Sequence, residues 1–348
     1  MPALWDRYQS LKQAEPRLRA RDAAAKLGVS EGELVAADPA AQPLRKDWPA
    51  LLRALEPIGP VMALTRNEAA VHEKTGVYAN VQIEGMMGLA LNPDIDLRFF
   101  LSRWAHGFAL AGERPSLQFF DAHGDAVHKI FAVDASDRAA FAAVVAQFAE
   151  GEIGGGSIAP TPREPLAAEK ADSEVDAAGF KAEWLALTDT HQFFGMLRRH
   201  GVSRTQALRL APEGHAREVG IAAVDTLLND AAASGLSIMV FVNNPGCVQI
   251  HTGPVHRIAP MGVWQNVMDP GFNLHLRMDL FDRAWIVRKP TADGIVTSLE
   301  CFDAGGNLIL QCFGARKPGQ PELGGWTQLA AQLADIAPGT PREEVSHA

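Results

Sequence analysis

One stretch of this chain occurs twice. Residues 116–131 read SLQFFDAHGDAVHKIF and residues 298–313 read SLECFDAGGNLILQCF, so the two starts differ by 182 positions in a chain of 348 residues. Solenoid repeats have periods of about 20 to 50 residues, so a repeat of this length is typical of two tandem domains. Half of the chain is also long enough to bury a core of its own.

Both halves begin with helical patterns and end with strand patterns. Helical spacing covers residues 4–14 and 19–27, and Ser30 with Glu33 predicts a capped third helix, a device that returns as Ser203 with Gln206. Residues 61–133 and 238–313 contain short apolar runs separated by turn residues. The sequence therefore predicts an α+β fold of two tandem structural repeats, each an antiparallel β-sheet with flanking helices. Further similarities upstream pair Leu97-Arg98 with Leu276-Arg277, and Trp104 with Trp285.

Composition indicates where the repeats are separated. Residues 151–176 are rich in Gly, Pro and charge, which predicts a linker with little structure of its own. We expect the first repeat over residues 1–150, the second over 177–337 and a loose tail over 338–348. Since domains of this size commonly stand alone, the second half is also expected to fold by itself.

Charge and cysteine content exclude several classes of protein. A net charge of −9 and a pI near 5.7 argue against general affinity for nucleic acid or an anionic membrane. The first residues carry charges where a signal peptide needs an apolar core, and no window approaches eighteen apolar residues. Cys247, Cys301 and Cys312 form no CxxC pair, which indicates buried thiols in a reducing compartment. We therefore expect a cytoplasmic protein without membrane insertion.

The segment WLALTDTHQFFGMLRRHG, residues 184–201, contains the most distinctive histidine. Thr188 or Asp189 can cap a helix whose first turn contains His191, and Gly195 follows one turn later. Glycine inside a helix costs about 1 kcal/mol relative to alanine. Gly195 either clears the surface beside the imidazole for a wide, flat ligand or makes a close helix contact beside a partly buried histidine. The corresponding helix of the first repeat has alanines in place of His and Phe.

An imidazole near Phe193, Phe194 and Met196 has the properties of an axial ligand to haem iron, and the porphyrin would pack well against Phe. Haem also carries two propionates that need cationic partners. Arg98, Lys289 and Arg316 are candidates, although each is equally compatible with a solvated surface charge.

Two other kinds of site are weaker. RARDAAAKLGVSEGELVAA and FFGMLRRHGVSRTQALRLA both look like a helix-turn-helix, but the second helix of the first copy is acidic where DNA recognition needs basic or amide side chains. His123 and His128 flank a Gly-Asp turn, which explains that motif without a metal, and His251 and His256 fall in the same category. No separate metal or nucleotide is therefore predicted, and nucleic acid is an improbable partner.

Nearly the whole chain, in order, resembles the bacterial cytoplasmic hemin-degrading or hemin transport proteins, the HemS-like family. The matching stretches are RNEAAVHEKTGVY, DIDLRFF, SRWAHGF, SLQFFDAHGDAVHK, LTDTHQFF, FVNNPGCVQIHTGPV, DLFDRAWIVRKPT and FGARKPGQPE. The resemblance implies paired repeats that bind one haem b in the cleft between them. It implies that His191 is the proximal iron ligand and Arg98 the arginine on the other face, with Phe100 and Phe241 in the pocket. It places Lys289, Gln311, Phe313 and Arg316 near the haem edge and propionates, and some relatives carry Tyr where Phe313 stands.

The predicted function is haem binding in haem uptake and iron acquisition. The protein either passes haem on or opens its ring to release iron, and in that version His191 and Arg98 are the catalytic residues, with an external reductant and O2. Expected partners are haem and an inner-membrane haem transporter, a haem oxygenase or a reductase. The alternatives are a helix-turn-helix DNA-binding regulator and a haem chaperone without chemistry of its own.

Overall fold

The computed structural model describes residues 3–154, 157–164, 168–316 and 319–335. The predicted tail, residues 338–348, lies outside the described residues, as do five residues of the predicted linker. The helices are α1 (Leu4–Ala14), α2 (Ala20–Leu27), α3 (Glu31–Ala36), α4 (Trp48–Arg53), α5 (Arg138–Phe148), α6 (Ala177–Leu185), α7 (Gln192–His200), α8 (Arg204–Arg209), α9 (Ala222–Ser234) and α10 (Gly324–Gln332). None of these described helices is long and apolar enough to cross a bilayer.

Seventeen strands make up most of the remaining regular secondary structure that is described. They are β1 (Ala41–Pro43), β2 (Val61–Arg66), β3 (Ala70–Gly76), β4 (Val81–Glu84), β5 (Met87–Leu91), β6 (Asp96–Phe100), β7 (His106–Leu110), β8 (Ser116–Phe120), β9 (Ala126–Ala132), β10 (Ala216–Val219), β11 (Ile238–Asn244), β12 (Cys247–Gly253), β13 (Trp264–Asp269), β14 (Phe272–Arg277), β15 (Arg283–Thr291), β16 (Gly294–Phe302) and β17 (Leu308–Gly314).

The chain divides into two compact units, and each forms antiparallel strands with flanking helices. Unit 1 comprises the described parts of residues 1–166 together with 241–251 and 268–275. Its strands pair in the order β1-β7-β8-β9-β2-β3, and a second set pairs as β12-β6-β5-β4. Unit 2 comprises 167–240, 252–267 and 276–348, and its strands pair as β10-β15-β16-β17. The predicted α+β class with antiparallel sheets is confirmed.

Strand register confirms the repeat and corrects its upstream limit. Ser116 pairs with Phe131 and Ser298 with Phe313, and each hairpin has an irregularity at the same place, before Phe120 and before Phe302.

Further upstream, however, Gln118 pairs with Phe108 and the matching Glu300 pairs with Trp285, so Phe108, not Trp104, is the equivalent of Trp285. Trp104 corresponds to Phe281, because each follows a 3-10 turn and bonds to the first residue of that turn. The backbone N–H of Trp104 donates to Leu101 O, and that of Phe281 donates to Met278 O. The same alignment matches Leu97-Arg98 with Leu274-His275. The upstream pairing predicted from the sequence is wrong because the β15–β16 hairpin is longer than the β7–β8 hairpin, which changes the offset between equivalent residues.

The predicted helix caps are present, but they differ in detail. The Ser30 hydroxyl accepts the backbone N–H of Glu33, and the Glu33 carboxylate accepts the backbone N–H of Ser30, which completes a capping box. Ser203 likewise accepts the backbone N–H of Gln206, but the Gln206 side chain donates instead to Lys170 O and Asp172 Oδ1. The second cap therefore has only one of the two hydrogen bonds of a capping box. The Gln206 amide bonds instead to residues at the end of the linker.

The described linker residues are bonded to the rest of their units. In unit 1 the backbone N–H of Gly154 donates to Ala41 O, and that of Thr161 donates to Ala122 O. Beyond residue 167 the only described regular element of the linker is a 3-10 turn at Asp172–Glu174. These described linker residues are therefore not detached from the rest of the protein.

Unit 1 depends on residues that come from the second half of the chain. Trp104 Nε1 donates to Gly246 O at 2.9 Å, and Gln249 Nε2 donates to Ala63 O at 2.9 Å. Cys247 is fully buried in the same core. The three cysteines are buried and unbridged, as predicted.

We therefore expect a fragment of residues 1–150 to unfold at lower urea concentration than the full chain, with a broader transition. The fragment lacks β12, which pairs with β6, and it lacks Gly246 O, the acceptor of the buried Trp104 indole N–H. Leaving this donor unpaired costs about 1–3 kcal/mol. Tryptophan fluorescence during urea unfolding measures this. A full chain nicked within the linker, which retains every segment, is the control and should unfold like the intact chain. A fragment with the same sharp transition as the full chain would contradict the expectation.

Candidate functional site

His191 lies immediately before α7 in unit 2 and projects into solvent. Its side chain is 93% exposed, and Nδ1 lies 2.6 Å from Asp189 Oδ1. An ionised carboxylate only accepts hydrogen bonds, so in the neutral imidazole the proton is assigned to Nδ1, which leaves the lone pair on Nε2. The same Asp189 oxygen accepts the backbone N–H of His191 at 2.8 Å. These two hydrogen bonds from His191 lower the pKa of Asp189, and the nearby Arg316 lowers it further.

The turn that holds Asp189 is fixed at both ends. Gln192 Oε1 accepts the backbone N–H groups of Thr188 and Asp189 at 3.0 and 3.3 Å. Thr188 O accepts the backbone N–H of Ala292, in the turn between β15 and β16, at 2.9 Å. The imidazole is therefore supported by a short turn anchored to the hairpin, not by a free loop.

Only part of α7 is available to a ligand. Phe193 and Met196 are buried in the core of unit 2, so the prediction of large apolar groups around the imidazole is wrong for these two. Phe194 is 64% exposed, on the same side as His191. A Cβ on Gly195 would meet only Arg199 Nη1, at 3.2 Å, outside the helix's own backbone. The structure thus favours the interpretation that Gly195 leaves the surface beside His191 open over the alternative of a close helix contact.

Beneath this helix lies a buried cluster of charges centred on Glu300. Its carboxylate accepts hydrogen bonds from Arg204 Nε at 2.7 Å, Lys289 Nζ at 2.6 Å and Gln311 Nε2 at 3.1 Å. Ser298 supplies a further donor at 3.1 Å. Lys289 Nζ also lies 4.4 Å from the centre of the Phe193 ring, which connects the cluster to α7. Two predicted haem-edge residues, Lys289 and Gln311, thus meet at one carboxylate.

Burial and pairing set the protonation of this cluster. Burial alone would raise the pKa of Glu300, but Arg204 and Lys289 more than offset it and hold that pKa well below its ordinary value. Burial lowers the pKa of Lys289 to about 8, with Glu300 acting in the opposite direction. At neutral pH the cluster contains two cations and one anion, so one positive charge is in excess.

The first repeat builds the same cluster with different charges. Gln118 and Lys129 occupy the strand positions equivalent to Glu300 and Gln311, and Glu31 occupies the helix position equivalent to Arg204. Lys129 Nζ lies 2.5 Å from Glu31 Oε1, and Arg66 and Arg21 also lower the pKa of that carboxylate. The second repeat therefore places a carboxylate on the strand and a guanidinium on the helix, where the first places an amide and a carboxylate.

The two remaining predicted residues of unit 2 lie on and beyond β17. Phe313 is half-buried on the same sheet face as Gln311, because both alternate with the buried Cys312. Arg316 follows the strand, and its Nη2 lies 3.6 Å from Asp293 in the β15–β16 turn. Unit 2 therefore contains His191, Lys289, Gln311, Phe313 and Arg316.

The other predicted residues, Arg98, Phe100 and Phe241, belong to unit 1. Arg98 and Phe100 alternate with buried residues on β6, and Arg98 is bonded to Asp96 on the same strand. Burial raises the pKa of Asp96, although Arg98 lowers it. Phe241 is half-buried on β11.

The competing interpretations lose support from the structure. Gln206 of α8 is fully buried, Arg204 is bonded to Glu300, and Arg209 is paired with Glu169, so this helix lacks the free polar face of a DNA recognition helix. His128 is buried between Thr65 Oγ1 at 2.9 Å and Tyr78 OH at 2.6 Å, contacts that use both ring nitrogens within the core.

Sequence reasoning missed the carboxylates. Asp96 precedes Arg98 by two residues and Asp189 precedes His191 by two, so the pattern Asp-x-Arg or Asp-x-His was visible in both predicted site motifs. Glu300 was missed as well, although the equivalent residue of the first repeat is Gln118. The comparison of the repeats could therefore have shown that the second one introduces a charge here.

We expect Glu300→Gln to destabilise the protein by roughly 3–5 kcal/mol near neutral pH, because it leaves the buried Lys289 and the partly buried Arg204 without their anion. The folded-state pKa of Glu300 lies below its ordinary value of 4.5, so its contribution is present above pH 4.5 and lost as the pH falls below that value. Urea unfolding at several pH values measures both effects. Asp293→Asn, on the exposed hairpin turn, is the control. Equal stability of wild type and Glu300→Gln near neutral pH would refute the role of this cluster.

This chain is similar to known proteins over nearly its whole length. The family model described as the haemin-degrading HemS.ChuX domain matches residues 28–148 and 201–333. The hemin transport protein HemS of Yersinia enterocolitica is 43% identical over 96% of this chain and 99% of its own length. Holo-PhuS, a heme-binding protein from Pseudomonas aeruginosa, is 49% identical with a TM-score of 0.92 over 96% of this chain and 99% of its own. ChuS, an E. coli heme oxygenase, is 40% identical with a TM-score of 0.84 over 95% and 99%. Because the family model matches both halves of the chain and HemS is similar over nearly its full length, the chain belongs to the haemin-degrading HemS/ChuX domain family.

Proposed function

We propose that this protein binds haem in haem uptake and iron acquisition, and that it passes the haem on or opens its ring. The observation that carries the proposal is His191, whose imidazole is exposed and whose Nδ1 is bonded to Asp189. This arrangement presents Nε2, with its lone pair, as an axial ligand to iron. The printed descriptions of the relatives, a hemin transport protein, a heme-binding protein and a heme oxygenase, support the same ligand.

The surroundings of His191 suit a flat, dianionic ligand. Phe194 and the open surface at Gly195 provide an apolar area for a porphyrin face. Arg316 and the cations of the Glu300 cluster would attract the propionates, and Arg316 is more accessible than Lys289. In unit 1, Arg98 and Phe100 stay predicted haem contacts, as does Phe241, and the Arg98 guanidinium offers donors to a polarised oxygen.

Trafficking and degradation would use the same iron ligand, so one experiment separates them. The protein is loaded with haem anaerobically and then given oxygen and a physiological reductant, with catalase present because free peroxide destroys haem unaided. Ring opening that depends on Arg98 indicates a haem oxygenase-like activity. Intact haem that transfers to an acceptor indicates a chaperone. We place the protein in the cytoplasm, with an inner-membrane haem transporter, a haem oxygenase or a reductase as its partners, and with the repeats at residues 1–150 and 177–337.

His191→Ala should change the ferric absorption spectrum and weaken haem retention by at least about tenfold, or 1.4 kcal/mol. The fold should be unaffected because the side chain is almost fully exposed. His200→Ala is the matched control, since His200 lies at the other end of α7, where Nε2 is 2.8 Å from Glu183 Oε2. If His191→Ala keeps the wild-type spectrum while His200→Ala changes it, the ligand has been assigned to the wrong residue.

Gly195→Ala should separate stability from binding. We expect the free energy of unfolding of the haem-free protein to rise by about 0.5–1 kcal/mol, because alanine is the better helix former and its Cβ meets only the end of Arg199. Haem affinity should fall, since the methyl group occupies the surface beside His191. Urea unfolding and haem titration measure the two quantities. Unchanged affinity would show that this surface does not contact the ligand.

A further inference from the structure

We propose that Asp189 is a positioning residue that holds His191 through an anionic hydrogen bond and so strengthens electron donation from the imidazole to iron. This inference rests on the proposed function. Asp189 touches neither iron nor porphyrin in this proposal. Its effect passes through Nδ1 of His191, at 2.6 Å from Oδ1.

The hydrogen bond fixes both the tautomer and the orientation of the ring. With Nδ1–H directed at Asp189, only Nε2 can bind a metal, and the ring cannot rotate without breaking the bond. A carboxylate acceptor also draws the Nδ1 proton away from the ring, which gives the imidazole part of the character of imidazolate. A more basic ligand stabilises ferric iron relative to ferrous iron and forms a stronger bond to the metal.

Asp189 is itself held in place for this task. Its backbone N–H donates to Gln192 Oε1, and Thr188 O accepts the backbone N–H of Ala292. These two hydrogen bonds restrain the turn beside His191. In the ligand-free protein the Asp189 side chain is 57% exposed, and water weakens its interaction with the imidazole. A bound porphyrin would exclude part of that water, and the hydrogen bond would gain strength where the local dielectric falls.

The competing explanation is that Asp189 only stabilises the turn before α7, whose N-cap is His191 and not Asp189 as predicted. Its Oδ1 does accept the backbone N–H of His191, two residues on, at 2.8 Å. Asparagine forms the same kind of turn as aspartate, because its side-chain oxygen accepts the same hydrogen bond. Asp189→Asn therefore keeps the turn and removes only the charge that acts on Nδ1–H.

The test uses the full chain loaded with haem, and compares wild type, Asp189→Asn and Asp293→Asn. Two quantities are measured: the midpoint potential of the iron, and the iron–histidine stretching frequency of the ferrous protein by resonance Raman spectroscopy. For Asp189→Asn we expect a shift of roughly tenfold in the ferric–ferrous equilibrium towards ferrous iron, about 59 mV for one electron. The stretching frequency should fall at the same time.

Asp293→Asn is the matched control because Asp293 is an acidic residue near Arg316, 3.6 Å from its guanidinium, that has no bond to His191 among the described residues. It removes the same charge from the same neighbourhood and should leave the stretching frequency unchanged. Wild-type values of both quantities in Asp189→Asn would overturn the inference, as would an equal frequency shift in Asp293→Asn.

His191→Ala, measured alongside, distinguishes this failure from failure of the proposed function. If His191→Ala loses the iron–histidine band but Asp189→Asn matches wild type, His191 is the ligand and Asp189 only stabilises the turn. If His191→Ala retains the wild-type band, His191 is not the ligand, and the proposed function and the inference both fail.

Discussion

The buried carboxylate of Glu300 determines how the second repeat presents its histidine. It accepts hydrogen bonds from β15 through Lys289, from β17 through Gln311 and from α8 through Arg204. Removing a partner from a buried ion pair costs several kcal/mol, so these three elements are constrained together. Phe193 of α7 lies against Lys289 and Arg204, at 4.4 and 5.3 Å from its ring centre. The helix that follows His191 is therefore seated on the cluster.

The fold was predictable to the extent that local signals determine it. The helix caps at Ser30 and Ser203 are formed by residues three positions apart, and a sequence displays such pairs directly. The assignment of residues 241–251 to unit 1 was not predictable, because it depends on pairing between Cys247 and Phe99, which are far apart in the chain. The repeat suggested two self-contained halves, and nothing local to either half indicated that β12 would pair with β6.

The site was predicted unevenly for a related reason. His191 could be identified because the first repeat has no histidine at the equivalent position. The helix period explains why Phe193 is buried and Phe194 is exposed. Phe193 shares a face with the buried Met196 and Leu197 three and four residues later, so the pattern itself placed it in the core. Lys289 was expected to be a propionate partner, but its bond to Glu300 depends on cross-strand register, which composition does not reveal. Any carboxylate approaching Lys289 would compete with Glu300.

The two repeats use equivalent positions for different chemistry. In the first repeat Lys129 is paired with Glu31, on which Arg66 and Arg21 also act, and Leu18, two residues before α2, stands at the position that His191 occupies in the second. In the second repeat Glu300 lies between two cations, the partly buried Arg204 and the buried Lys289. A buried charge lowers stability unless a counter-ion is close to it, so the arrangement of each cluster depends on its own carboxylate. Glu300, Arg204 and His191 are thus three substitutions at equivalent positions of one scaffold, and together they give the second repeat a charge pattern and an exposed imidazole that the first repeat lacks.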